Sequence, residues 1–155
     1  MDVHTALLVP HVAAGTLGLA LGPLAMVLPK RARHAVVGRL FVGATVVMTT
    51  TALALALRGL PGDAHLAVIA TATLAACVGG LVVRRRRRPG WLRPHVVLML
   101  SSYLSFTTAF LLTVWDSPLA WVLPTVVGSP LVATTVRRLP AAPRPHPAPP
   151  VAAGP

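Results

Sequence analysis

The chain alternates long apolar runs with short polar breaks. The runs are Thr5–Leu28, Arg39–Leu57, Leu66–Val83 and Val96–Val114, and Arg39 at the edge of the second is the one charged residue within them. About 20 helical residues cross a hydrocarbon core about 30 Å thick, so each run predicts a membrane-spanning helix. The breaks place the ends. "LPKRARH" closes the first run, "RGLPGD" reads as a turn from its glycines and proline, the arginine block follows the third run, and "WDSP" follows the fourth. Helices are expected over about 5–28, 34–57, 65–83 and 95–115.

A fifth run, 121–136, reads "WVLPTVVGSPLVATTV" and holds Pro124, Gly128 and Pro130. Prolines are tolerated in membrane helices where neighbours satisfy the freed backbone groups, so a kinked span is one reading and a re-entrant hairpin the other. Residues 137–155 form a Pro/Ala-rich tail that cannot bury a core and is expected to be disordered. Residues 1–136 then make up the transmembrane domain.

Composition fits this pattern. Of 155 residues, 55% are apolar and 11% charged, against about 25% charged in a soluble domain, and mean hydropathy is +0.74. The expected class is an all-α membrane protein of five transmembrane helices, a four-helix bundle plus a kinked fifth. The opening "MDVHTALLVPHVAAG" lacks the positive segment of a secretory signal and reads as a retained first helix. Cys77 is the sole cysteine, which leaves no intramolecular disulfide.

Charge sets the expected orientation. Lys30, Arg31 and Arg33, then Arg84–Arg88 and Arg93, then Arg137, Arg138 and Arg144 fall on one side if five helices alternate. Asp2, Asp63 and Asp116 fall on the other side, with Arg58. The positive-inside rule puts the amino terminus outside and the carboxyl terminus inside. The same bias favours a fifth run that spans, since otherwise Arg137 and Arg138 would be stranded outside. Trp91, Trp115 and Trp121 sit where an aromatic belt is expected.

Arg84, Arg85, Arg86, Arg87 and Arg88 are expected to hold anionic lipid head groups at about 1 kcal/mol per residue. The net charge of +11 could suggest nucleic acid, but the block lacks interleaved aromatics for base stacking, so nucleic acid is not an expected partner.

Histidines supply the candidate chemistry. In the first helix His11, Gly15, Gly18 and Gly22 follow i, i+4, i+7 and i+11, one stripe of a helix that something must approach closely. A small-residue helix contact with a satisfied histidine is the plainer reading. A flat ligand lying on glycine with His11 as an axial group is the sharper one. His34, His65 and His95 open the next three helices, so His11 and His65 fall towards the outer face and His34 and His95 towards the inner one. Facing imidazoles on a bundle are what a b-type cytochrome uses, and Arg39 could meet a propionate or a quinone oxygen, or snorkel to head groups. His95 and Met99 alone make an incomplete copper set. No carboxylate lies within the spans, and no HExxH, phosphate loop or nucleophile triad is present.

"HVAAGTLGLALGP", "RARHAVVGRLF", "HVVLMLSSYLSFTTAF" and "WVLPTVVGSPL" together resemble an uncharacterised bacterial family of small predicted integral membrane proteins, a domain of unknown function. The likeness runs from about His11 to Leu131 and omits the tail. The family pattern falls on His11, Gly22, Pro23, His34, Gly38, Arg39, His95, Ser102, Tyr103, Thr108, Ala109 and Phe110, and passes over His65. It implies a multi-pass protein of the bacterial plasma membrane and carries no biochemical activity.

Two functions follow as expectations. One is a non-enzymatic membrane subunit whose Gly15, Gly18 and Gly22 pack a helix, with a membrane-protein partner or a second copy of itself. The alternative is a redox or assembly protein in which His11, His34 and His95 ligate haem b or a metal and Arg39 partners an anionic group.

Overall fold

The computed structural model describes residues 2–29, 32–59 and 61–140. It contains five helices, α1 (Val3–Val27), α2 (Ala32–Arg58), α3 (Ala64–Arg86), α4 (Leu92–Val114) and α5 (Leu119–Arg137). All five are long and apolar enough to cross a membrane. No strand is present among the described residues. The tail beyond residue 140, for which disorder is expected, lies outside them.

Local chemistry explains the helix ends. The Asp2 carboxylate accepts the Thr5 backbone N–H at 2.7 Å and caps α1. α3 runs past its apolar stretch into the arginine block as far as Arg86. Arginine is a good helix former, and cations are favoured at a helix carboxyl end. The helix stops at Arg87, which takes the left-handed conformation (φ 43°, ψ 33°) that commonly ends helices. α4 starts before His95 and holds Pro94 in its first turn, where a missing N–H breaks no helical bond.

α5 is a single helix of 19 residues that passes through Pro124 and Pro130. At 1.5 Å per residue it is about 28 Å long, a full span in place of a hairpin that turns back.

Within the bundle α1 packs on α2, α2 on α3, α3 on α4, and α4 closes against α1, while α5 rests mainly on α4 and touches α3 through Trp121 and His65. Ala120 and Pro124 of α5 are buried there, and Leu104 of α4 fills the space beside Gly128.

Large apolar side chains such as Val27, Val68, Val114 and Leu131 point outwards, and the largest fully buried side chains are Thr45, Thr49, Thr73, Cys77 and Ser102. Lipid is as apolar as leucine, so burial of hydrocarbon does not sort inside from outside. Close packing and hydrogen bonds do. The Thr45, Thr49 and Thr73 hydroxyls donate one turn back to the carbonyls of Phe41, Thr45 and Ile69 at 2.7–2.8 Å. Ser102 reaches across from α4 to the Thr73 carbonyl at 3.2 Å. Among the described residues no buried side-chain nitrogen or oxygen lacks a partner.

The glycine stripe of α1 is filled from within the chain. A Cβ on Gly18 would sit 2.8 Å from the Phe106 ring, and one on Gly22 would overlap the Tyr103 ring. Gly15 is looser, with Met48 at 3.8 Å. The close approach anticipated along the stripe is thus made largely by two aromatic rings of α4, and the space at Gly18 and Gly22 is already taken.

Candidate functional site at the basic end of the bundle

The three pattern histidines share one local device. Each ring bonds through Nδ1 to a backbone carbonyl of a neighbouring helix. His34, in the first turn of α2, reaches Ala25 of α1 at 2.8 Å. His95, in the first turn of α4, reaches Gly80 of α3 at 2.8 Å. His11, inside α1, reaches Met48 of α2 at 3.1 Å and the Thr51 hydroxyl at 3.3 Å. A carbonyl only accepts, so Nδ1 carries a proton and donates in each ring.

The His34 partner follows from sequence. The Ala25 carbonyl would take its helical bond from the N–H of residue 29, but residue 29 is proline and has none. His34 supplies the missing donor and pins the end of α1 to the start of α2. Tyr103 does the same deeper in the bundle. Pro23 cannot donate to the Leu19 carbonyl, and the Tyr103 hydroxyl donates to it at 3.2 Å. Gly22 makes room for the ring that brings the hydroxyl there. At Gly80, Met99 and Leu98 press against the bare Cα while His95 takes the carbonyl.

The chain therefore contains two similar hairpins, α1–α2 and α3–α4. In each, a histidine just after a basic connection is tied back to the preceding helix, to Ala25 near the end of α1 and to Gly80 within the last two turns of α3. Between them, at the end that carries both basic connections, lies a cavity of about 920 Å³. This is near the upper end of ordinary ligand pockets, about 300–1,000 Å³.

His34, Arg39 and Tyr103 line the cavity together with His95 and Trp91. Arg84, Arg85 and Arg87 also line it, whereas Arg86 and Arg88 do not. Apolar walls come from Phe41, Val42, Val96, Met99 and Leu100. The chain's three acids, Asp2, Asp63 and Asp116, all belong to the opposite end, at the starts of α1 and α3 and the end of α4. Among the described residues no carboxylate lines the cavity.

The structure thus brings His34, Arg39 and His95 to one cavity and leaves His11 elsewhere, about 16 Å along α1 from Gly22 by helical rise. His65 is exposed and packs beside Trp121 of α5, with ring centroids 5.7 Å apart and the planes tilted by 48°. His11 is held by Met48 and Thr51 of α2 while His65 is exposed beside Trp121, so the two are not brought together. Among the described residues no three of His, Cys, Asp and Glu gather as a metal site. Sequence reasoning passed over the part played by Tyr103, whose signal was the Gly-Pro pair at 22–23 on another helix.

Five apolar helices around a hydrogen-bonded polar centre, with a cationic cavity at one end, define a multi-pass α-helical membrane protein. Residues 8–140 match the family described as "Predicted membrane protein (DUF2306)", and the chain belongs to that family. No curated protein and no solved structure matches it.

Proposed function

We propose that this chain is a non-enzymatic membrane subunit that holds an amphiphilic ligand in the cavity between its two hairpins. The cavity itself is the observation that carries this reading. It is large, it lies where two similar halves meet, and its polar residues are chiefly arginine, histidine and tyrosine, with Trp91 and Thr135, set among apolar walls. Such groups bind and orient a ligand. Among the described residues the lining has no carboxylate and no paired nucleophile and base of the kind that transforms a substrate.

Thermal unfolding of the purified protein in mild detergent, with and without a panel of amphiphiles, tests the reading. An occupant at a hundred times its Kd should stabilise the fold by about 2.7 kcal/mol. A protein indifferent to every amphiphile would end it.

The orientation proposed with it has the amino terminus outside a bacterial plasma membrane and the cavity opening at the cytoplasmic face, in keeping with the positive-inside rule. Cys77 is fully buried, so a cysteine introduced by Asp116→Cys or Arg138→Cys can be probed against a quiet background. An impermeant thiol reagent added to intact cells should label the first and spare the second. The reverse pattern would invert the topology.

The haem alternative requires imidazoles that converge. His11 does not join His34 and His95, so the three-histidine set fits no single group, and neither the family match nor the cavity chemistry speaks for haem. Absorbance spectra of protein from haem-replete cells check the remaining pair. A Soret band lost in both His34→Ala and His95→Ala would replace the amphiphile reading with a haem one.

A further inference from the structure

The lining of the cavity narrows the class of ligand. Four arginines, Arg39, Arg84, Arg85 and Arg87, line it and no acid does among the described residues, which favours a guest that carries negative charge. Phe41, Val42 and Met99 continue the same surface, so the guest also carries hydrocarbon. At about 920 Å³ the space is far larger than a bare phosphate ion would occupy. Trp91 lines the cavity beside the arginines, and tryptophan favours the membrane interface, where a lipid head group sits. Basic pockets between membrane helices are places where anionic head groups bind.

Space beside α2 belongs to the same opening, which Gly38 and Gly43 both border. A Cβ on Gly38, which lines the cavity, would meet no atom within 4 Å. Gly18, Gly22 and Gly80 exist to admit a side chain of this protein. The bareness of Gly38 leaves room for something else.

Resting on the reading of the cavity as an amphiphile site, we propose that it binds an anionic glycerophospholipid drawn from the surrounding leaflet. The phosphate lies among Arg39, Arg84, Arg85 and Arg87, and the upper part of an acyl chain lies along Phe41, Val42 and Met99. This is a selective site, distinct from a general attraction of the arginine block to the membrane surface. Within one run of five arginines, Arg84, Arg85 and Arg87 contribute and Arg86 and Arg88 do not.

The test uses the full chain, delipidated in neutral detergent and titrated with phosphatidylglycerol or phosphatidylcholine, with bound lipid counted by native mass spectrometry. Phosphatidylglycerol should bind at least tenfold more tightly than phosphatidylcholine. Arg39→Gln and Arg84→Gln should each weaken it about fivefold, the value of one cation near an anionic head group. Arg86→Gln and Arg88→Gln should leave it unchanged. Gly38→Leu should abolish binding while the lipid-free protein melts no lower than wild type, because leucine grows into open space and is a better helix former than glycine.

Equal losses at Arg84, Arg86 and Arg88 would reduce the effect to surface charge and overturn the proposal. Inorganic phosphate or glycerol phosphate competing as well as the intact lipid would mean a soluble-anion site, and would also overturn it. A neutral long-chain amphiphile that binds as well as phosphatidylglycerol and is blocked by Gly38→Leu would overturn the lipid assignment and leave the cavity as an amphiphile site. Failure of every amphiphile to bind would remove both.

Discussion

The Tyr103 hydroxyl donates to the carbonyl of Leu19, the acceptor that Pro23 leaves without its helical partner. One residue on α4 thus completes the backbone of α1 at a proline, across 84 positions of sequence. Inside a bilayer no water performs this service, so a proline in a spanning helix needs a donor from a neighbour. Pro29 and His34 repeat the arrangement at the end of the same helix, where His34 bonds the carbonyl of Ala25.

This pairing predicts a coupling. Tyr103→Phe keeps the ring on Gly22 and removes the donor, and should cost about 1 kcal/mol of bundle stability, within the range measured for interhelical bonds in membranes. Pro23→Ala returns an N–H to the Leu19 carbonyl, so in that background Tyr103→Phe should cost close to nothing. Reversible unfolding of the four proteins of this cycle in detergent measures the coupling. Additive effects would mean that the hydroxyl does not serve the proline gap.

Histidine tautomers offer a spectroscopic check. With Nδ1 of His34 bonded to the Ala25 carbonyl, its neutral ring must carry the proton on Nδ1, the less common tautomer of free imidazole. Nitrogen-15 spectra of histidine-labelled protein, assigned with His34→Gln, should show a protonated Nδ1 and an unprotonated Nε2. The opposite tautomer would break the link between α1 and α2.

The glycines of α1 should form a graded series. Gly15→Ala meets Met48 at ordinary contact distance and should be neutral or slightly stabilising. Gly18→Ala pushes on the Phe106 ring, and Gly22→Ala on the Tyr103 ring that is also held by its hydroxyl. Overpacking of this kind costs about 1–3 kcal/mol, with Gly22 the more severe because its neighbour has less freedom to move. Phe106→Leu should restore most of the loss at Gly18 and none of the loss at Gly22. Melting temperatures of the single and paired variants would show either pattern.

Asp2 gives the one expected pH effect. Its hydrogen bonds from Thr5 hold the carboxyl below the usual value of 3.8. A depressed folded pKa means that the cap contributes at neutral pH and is lost as pH falls through the folded value, below about 3.8. The carboxyl is fully exposed, so the effect should be local fraying of the first turn of α1, visible as loss of amide protection at Thr5 on acidification. Asp2→Asn, which keeps the cap without the charge, should show no such titration.

Much of this was legible in the sequence because hydrocarbon length is a one-dimensional property. Runs such as Leu66–Val83 specify a spanning helix by themselves, and the arginine breaks specify which ends share a side. The end of α3 was less legible: Arg84, Arg85 and Arg86 read as loop but continue the helix, since arginine propagates a helix already nucleated by the apolar run.

The sequence also marked His11, His34, Arg39 and His95 as unusual, for a reason that holds in any fold: polar groups are rare in lipid and need partners. Which of them would meet was a matter of helix rotation and neighbour order, and these depend on contacts between residues far apart in the chain. Tyr103 seated on Gly22, Phe106 on Gly18 and Met99 on Gly80 fix those rotations. They turn His34, Arg39 and His95 to one cavity and leave His11 with Met48 and Thr51. The sequence by itself therefore determined the spans, the sidedness of charge and the residues that would need partners. Only the tertiary structure decided which partners they found, because in a membrane the fit of small residues against rings sets the packing, and that fit is three-dimensional.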